Sequence, residues 1–210
     1  MNAPARLSGS DADRDFGGLE TARLKLRRFR ESDLEPFMAY RNDPEVSRYQ
    51  GWVSVGEPAA RLFVAEMQHA SPGKPGEWFQ FAIEEQASGA LAGDCALRRG
   101  LEEPRQAEIG YSLARAFQGR GYALEAISAL LAYAFRRFDL HRVVAITDVR
   151  NLPSVRLLER LGLRREGHFI QNAWFKGAWS DEYLYAILRQ EWEQRSGQGA
   201  PGAMSPDPRP

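Results

Sequence analysis

Two hydrophobic periods alternate along the chain. Over WFQFAIE, residues 78 to 84, Phe79, Phe81 and Ile83 fall at every second position, the spacing of a strand with one buried face. Over the stretch that follows Gly121, Leu124, Ile127, Leu130, Leu131, Ala134, Phe135 and Phe138 recur at three- and four-residue steps, the spacing of a helix with one apolar face. The same reading predicts strands over 24–29, 90–98, 106–113 and 143–149, and two more near 163–171 and 181–188. The 78–84 and 90–98 strands are close enough for a hairpin across a short Gly-containing turn. A first helix opens at the capping-box pattern Ser32-x-x-Glu35 and runs to about Asn42. A second spans roughly Pro58 to His69, and a short one covers NLPSVRLLERLG with Gly162 placed to end it. Gly110, in the middle of QAEIGYSL, reads as a bulge or a point of close backbone approach. An antiparallel meander followed by a strand–helix–strand–helix unit predicts an α/β (α+β) fold, a mixed sheet with helices on its faces.

Composition sets the limits of that unit. Residues 1–18 are small, polar and charged, and SGQGAPGAMSPDPRP at 196–210 is rich in Gly, Pro and Ser. Both are expected to be disordered tails around a single domain at 19–195. The 28 basic and 28 acidic residues cancel, so no overall attraction to nucleic acid or membrane is expected. No apolar run approaches the roughly 18 residues of a spanning helix, and the N-terminus lacks the apolar core of a secretory signal. The single cysteine, Cys95, excludes an intrachain disulfide and fits a cytoplasmic location; its apolar setting, ALAGDCAL, reads as buried. His69, His141 and His168 show no metal-ligand spacing with it, so no metal is expected.

The chemistry concentrates in QGRGYA, residues 118–123, between a strand and the long helix. Glycines at 119 and 121 permit positive φ and close approach of a ligand to the backbone, the helix start adds its positive dipole end, and Arg120 adds a full charge. Such a turn either cradles phosphate or is only a flexible connection. The triphosphate-binding loop is excluded, because no Gly-Lys-Ser/Thr follows. The dinucleotide fingerprint fails at its third glycine, where Leu124 stands, and the strand before it is too polar for the centre of a doubly wound sheet.

A third pattern fits. Gln118-x-x-Gly121-x-Ala123 resembles the acyl-CoA loop Q/R-x-x-G-x-G/A of the GNAT superfamily of N-acetyltransferases. TARLKLRRFRESDLEPFMAYRNDPEV (21–46), AEIGYSL (107–113), HRVVAITDVRN (141–151), NLPSVRLLERLGLRREG (151–167) and DEYLYAILRQEW (181–192) are similar to its ribosomal-protein (RimJ/RimL-like) branch, in the same order. The resemblance covers about 19–193. It implies a GNAT-like, mostly antiparallel central sheet, splayed at a bulged strand, with helices on both faces. It also implies acetyl-CoA as co-substrate and a primary amine, on a protein N-terminus or a small molecule, as acceptor. The alternative is a non-catalytic acyl-CoA-binding module.

Carried over by position, Gln118, Gly119, Arg120, Gly121, Tyr122, Ala123 and Leu124 are expected to hold the pyrophosphate, and the backbone of Leu113 to pair with the pantetheine arm. Asn151 matches a residue that contacts that arm, and Ser154 one that lends its proton to the departing thiolate. Both are also ordinary helix-capping residues. Glu108 matches an acid that takes the proton of the attacking amine; its other reading is a solvent-facing strand residue. Tyr49, Gln50 and Trp52 fall in a loop that lines the acceptor side in this branch. Trp174, Phe175 and Trp179 belong either to that side or to core and dimer contacts, and Asp181 and Glu182 either bind a cation or are merely solvated. Relatives often carry Trp-Gly-Lys-Gly near Phe117–Gly121; here the positive charge is kept at Arg120. A homodimer is common among relatives.

Overall fold

A computed structural model describes residues 12–197 apart from Val53; of the expected tails at 1–18 and 196–210, residues 1–11 and 198–210 lie outside the described residues. The elements, in chain order, are β1 (Leu19–Glu20), β2 (Leu24–Arg27), α1 (Leu34–Arg41), α2 (Pro44–Ser47), α3 (Glu57–His69), β3 (Trp78–Glu85), β4 (Leu91–Arg99) and β5 (Gln106–Leu113). They continue as α4 (Tyr122–Phe138), β6 (Arg142–Asp148), α5 (Leu152–Leu161), β7 (Arg164–Phe175), β8 (Ala178–Leu188) and α6 (Arg189–Gly197). The strands form one sheet in the order β1-β2-β3-β4-β5-β6-β8-β7. Only the β5–β6 pair is parallel.

Alternation along the strands sorts side chains to two helical layers. Phe79 and Phe81 meet Phe16 and Tyr133 of α4, and Tyr185 bonds Glu159 of α5, so α4 and α5 cover one face. Gln80 and Asp94 point the other way and are reached by Arg41 of α1, while Met67 of α3 accepts from the Gln80 N–H. Phe16 is buried, so packing begins before residue 19. Burial of Cys95 pushes its thiol well above the ordinary range, so it is a core residue and no nucleophile.

Two expectations change. The first helix is not capped by Ser32. A 3-10 turn at Glu31–Asp33 precedes α1, and the Asp33 carboxylate accepts from the Arg30 N–H at 2.7 Å while gripping the buried Arg27 guanidinium at 2.6 and 2.9 Å. The charge on Arg27 outbids a neutral hydroxyl for the helix start. Nor is β5 bulged: it pairs with β4 without interruption from Ala107↔Arg99 to Leu113↔Gly93, through Gly110↔Ala96. The register breaks lie elsewhere, at Ile83/Glu84 and within β7.

The sheet opens all the same, by divergence. β5 and β6 pair only at Gln106↔Arg142, Ala107↔Val143 and Glu108↔Val144. Beyond them β5 continues to Leu113 beside β4, and β6 to Asp148 beside β8. The result is a wedge between 109–113 and 145–148. Both the QGRGYA turn and the start of α5 follow directly from its two sides.

Candidate active site

The QGRGYA turn presents unpaired backbone donors to open space. Gly119 and Gly121 stand at φ +74° and +80°, a left-handed geometry that a Cβ disfavours, and Gly121 caps α4. A Cβ at Gly119 would meet nothing within 4 Å, and one at Gly121 only Arg23 at 3.5 Å, so the protein leaves the space before the turn open. Among the described residues, no protein acceptor takes the N–H groups of Gly119 through Leu124, and Glu125 is the first to bond back, to the Gly121 carbonyl. Free N–H groups at the positive end of a 17-residue helix are the kind of donors that attract an anion. They suit a pyrophosphate such as that of acetyl-CoA.

Side chains that the sequence alone did not single out hold this turn rigid. Glu125 accepts from Thr21 at 2.6 Å and from the Arg23 backbone and guanidinium at 2.8 and 2.7 Å, tying the first turn of α4 to the start of β2. Burial alone would raise the Glu125 carboxyl; those bonds outweigh it and hold the group below its ordinary range. Arg23 also donates to the Arg120 carbonyl at 3.0 Å. Tyr122 bonds Glu85 at 2.5 Å, and Arg120 lies 3.7 Å from that carboxylate. Gln118 turns inward and donates to the Leu113 carbonyl at 2.9 Å, linking the turn to the last residue of β5.

On the α4/α5 side of the wedge, the Tyr111 hydroxyl lies 2.7 Å from Ser154 Oγ. Tyr111 is brought there by strand alternation and Ser154 by the first turn of α5. Burial pushes the Tyr111 phenol up to about 12, against a smaller opposing effect of its bond to Ser154, so it stays protonated at neutral pH. Asn151 is indeed the N-cap of α5, its Oδ1 accepting from the Ser154 N–H at 3.3 Å. Its amide nitrogen has no protein partner among the described residues. Glu108 lies on the opposite face of β5 from Tyr111, at the last paired position before the wedge, and one of its oxygens accepts from Arg98 at 2.6 Å. Neither of the two readings of Glu108, base or strand surface, conflicts with that position.

The early loop reaches the wedge as well. Gln50 donates to the Tyr111 carbonyl at 3.5 Å, and the Arg41 guanidinium stacks 3.8 Å from the Trp52 ring centre. Lys176, in the β7–β8 turn, donates to the Ser47 carbonyl and so draws that hairpin against α2. Trp174 and Trp179 pair edge to face and stay more than half exposed, so they are no part of the core; the Phe175 side chain is outside what is described. Asp181 is bonded to the Gln171 N–H and to His168 rather than open to a ligand, while Glu182 accepts from Asn172. A larger groove, about 680 Å³, opens between α1, the β3–β4 turn and residues 114–117. Its cations Arg27, Arg30 and Arg115 are paired with Asp33, Glu84 and Asp43, so it offers no unmet charge.

The chain is similar in sequence and fold to known acetyltransferases. The family model of the acetyltransferase (GNAT) domain matches residues 23–164, and the chain belongs to that family. It is similar to the N-acetyltransferase YnaD of Bacillus subtilis, 33% identical over 83% of this chain and 98% of YnaD. It is also similar to the crystal structure of a GNAT-family acetyltransferase from Bacillus anthracis, at 32% identity and TM-score 0.75, covering 83% of this chain and 99% of that one. The ribosomal protein uS5-alanine N-acetyltransferase of Escherichia coli is 34% identical over a shorter stretch, 40% of this chain and 43% of its own. The chain is thus an N-acetyltransferase by family. No helix among the described residues is long and apolar enough to cross a membrane.

Proposed function

We propose that the protein transfers the acetyl group of acetyl-CoA to a primary amine, on a protein N-terminus or a small molecule, by direct attack. The observation that carries this reading is the wedge itself, with free N–H groups at Gly119–Leu124 leading to it and a hydroxyl pair on one of its walls. In this reading the turn from Gln118 to Leu124 binds the pyrophosphate, and the Leu113 backbone and the Asn151 amide flank the pantetheine arm. The amine nitrogen bonds to the thioester carbon, giving a tetrahedral intermediate, and the carbon–sulfur bond then breaks. The proton lost by the amine passes to Glu108, directly or through water. Ser154 gives a proton to the departing thiolate, with Tyr111 holding its hydroxyl in place. Acid and base on opposite faces of one strand suit a reaction in which the donor and the acceptor approach from opposite sides.

A cytoplasmic location belongs to this reading, and a single, buried cysteine that can form no intrachain disulfide supports it. A homodimer is the expected assembly, and the exposed apolar side chains Phe169, Ile170, Trp174 and Trp179 of the outer hairpin support it. The test of the reaction is thiol release from acetyl-CoA over a panel of peptides, polyamines and aminoglycosides, with the acceptor's gain of one acetyl mass. CoA binding without turnover on any amine sinks the proposal.

A further inference from the structure

A small cavity of about 200 Å³ lies between three segments far apart in sequence: the residues after α2, the loop after β6 and the β7–β8 turn. It is lined by Arg48, Tyr49, Arg150, Lys176 and Ala178, hence by three basic side chains and no acidic one. Two of its lining residues are chain neighbours of residues at the wedge. Arg150 precedes Asn151, the cap of the helix that carries Ser154. Tyr49 precedes Gln50, which reaches the Tyr111 carbonyl.

The cations are held in place from behind. Asp148, 5% exposed, grips Arg150 through Nε at 2.9 Å and Nη2 at 2.6 Å, leaving Nη1 without a protein partner among the described residues. Lys176 is anchored on the Ser47 carbonyl, and Arg48 lies beside the Tyr49 ring with Glu45 at 3.7 Å. The carboxylates paired with Arg48 and Arg150, Glu45 and Asp148, are outside the lining, which carries three basic side chains. Its volume is below the roughly 300–1,000 Å³ of a pocket for a drug-sized ligand, so it suits one compact charged head.

Resting on the acetyl-transfer reading, we propose that the acceptor is an amino-acid-sized amine whose carboxylate or phosphate occupies this cavity while its nitrogen enters the wedge. A polycationic acceptor would bring like charges to Arg48, Arg150 and Lys176, which opposes binding and slows encounter.

The experiment compares acceptors matched except for the anion: tyrosine with tyramine, and phosphoethanolamine with ethanolamine, with spermidine as the polycation. Two dipeptides, Ala-Glu amide and Ala-Lys amide, distinguish a peptide source of the anion from a free amino acid. We expect kcat/KM to favour the anionic member of at least one pair by about ten-fold, since a few partly exposed charge contacts together are worth about 1.4 kcal/mol. High ionic strength should shrink that preference. In the double variant Arg48→Gln/Lys176→Gln, and separately in Arg150→Gln, the preference should fall to about two-fold with the rise confined to acceptor KM. Turnover indifferent to the anion, or fastest with spermidine, overturns this inference and leaves acetyl transfer standing. Absence of turnover on every amine, with CoA still bound in calorimetry, overturns both.

Discussion

At Gly121 a left-handed backbone coincides with the start of α4, where we propose that the pyrophosphate binds, so a substitution there has two separable effects. A side chain in that conformation costs about 1–2 kcal/mol of stability. It also projects into the space that the protein leaves open before the turn. Gly121→Val should therefore lower the unfolding midpoint and raise the KM for acetyl-CoA, whereas Arg120→Ala, 53% exposed and beside Glu85, should raise that KM more modestly with stability unchanged. Thermal unfolding and acetyl-CoA titration of both variants decide it; a KM unmoved in both makes the turn a mere connection. Tyr111 makes a sharper case, because its role rests on one 2.7 Å contact. Ser154→Ala should cut kcat by about 10²-fold, a usual size for losing a proton donor. Tyr111→Phe should cut kcat less and have no further effect once Ser154 is alanine; additive losses would separate the two hydroxyls. Glu108→Gln should lower kcat with little change in acetyl-CoA KM, and an unaltered kcat removes Glu108 from the mechanism.

Helix α1 is fastened to the sheet by a buried charge. Asp94 on β4 accepts from the Tyr40 hydroxyl and, at 2.8 Å, from Arg41, and all three side chains are less than a tenth exposed. Removing one partner strands the other charge away from water, so Asp94→Ala should cost about 3–5 kcal/mol in urea unfolding. A loss below 1 kcal/mol would mean that water enters and replaces the carboxylate. The same element shows what a sequence reveals and what it hides. The α4 apolar positions were legible because periodicity depends only on neighbours along the chain, and the QGRGYA turn was legible because turn and helix start are local. Asp94 carried no local signal of its role, because its partners lie 54 and 53 residues away. Ser32 made a good local cap, but a buried Arg27 recruited Asp33 instead. Gly110 suggested a bulge, yet the opening of the sheet comes from β5 and β6 following different neighbours, which no single strand encodes. The Tyr111–Ser154 contact joins residues 43 apart, and only the packing of α5 against β5 brings them together.

Over the whole molecule, several carboxylates titrate below their ordinary range. Arg105 holds Glu103 down at about 2 through a side-chain bond. Asp148 is pushed up by burial, but its bonds to Arg150 more than reverse this, and Glu125 behaves alike with Thr21 and Arg23. A group whose folded pKa is depressed adds stability above its unfolded value and loses it as the pH falls through the folded one. Stability should hold level through neutral pH, begin to fall near 4.5, the ordinary glutamate value, and keep falling towards 2. Urea midpoints measured along an acid series test this; a decline setting in well above pH 5 would point to a different titrating group. The wedge has a mechanical consequence too. The parallel spine at 106–108 binds β1–β5 to β6–β8 as the stitching of a book holds two leaves, and the pages beyond it lack cross-strand bonds to each other. A molecule lying between those pages closes the book: its binding energy becomes folding stability, and the backbone at 109–113 and 145–148, each paired on its outer side only, should gain hydrogen-exchange protection while the substrate is there.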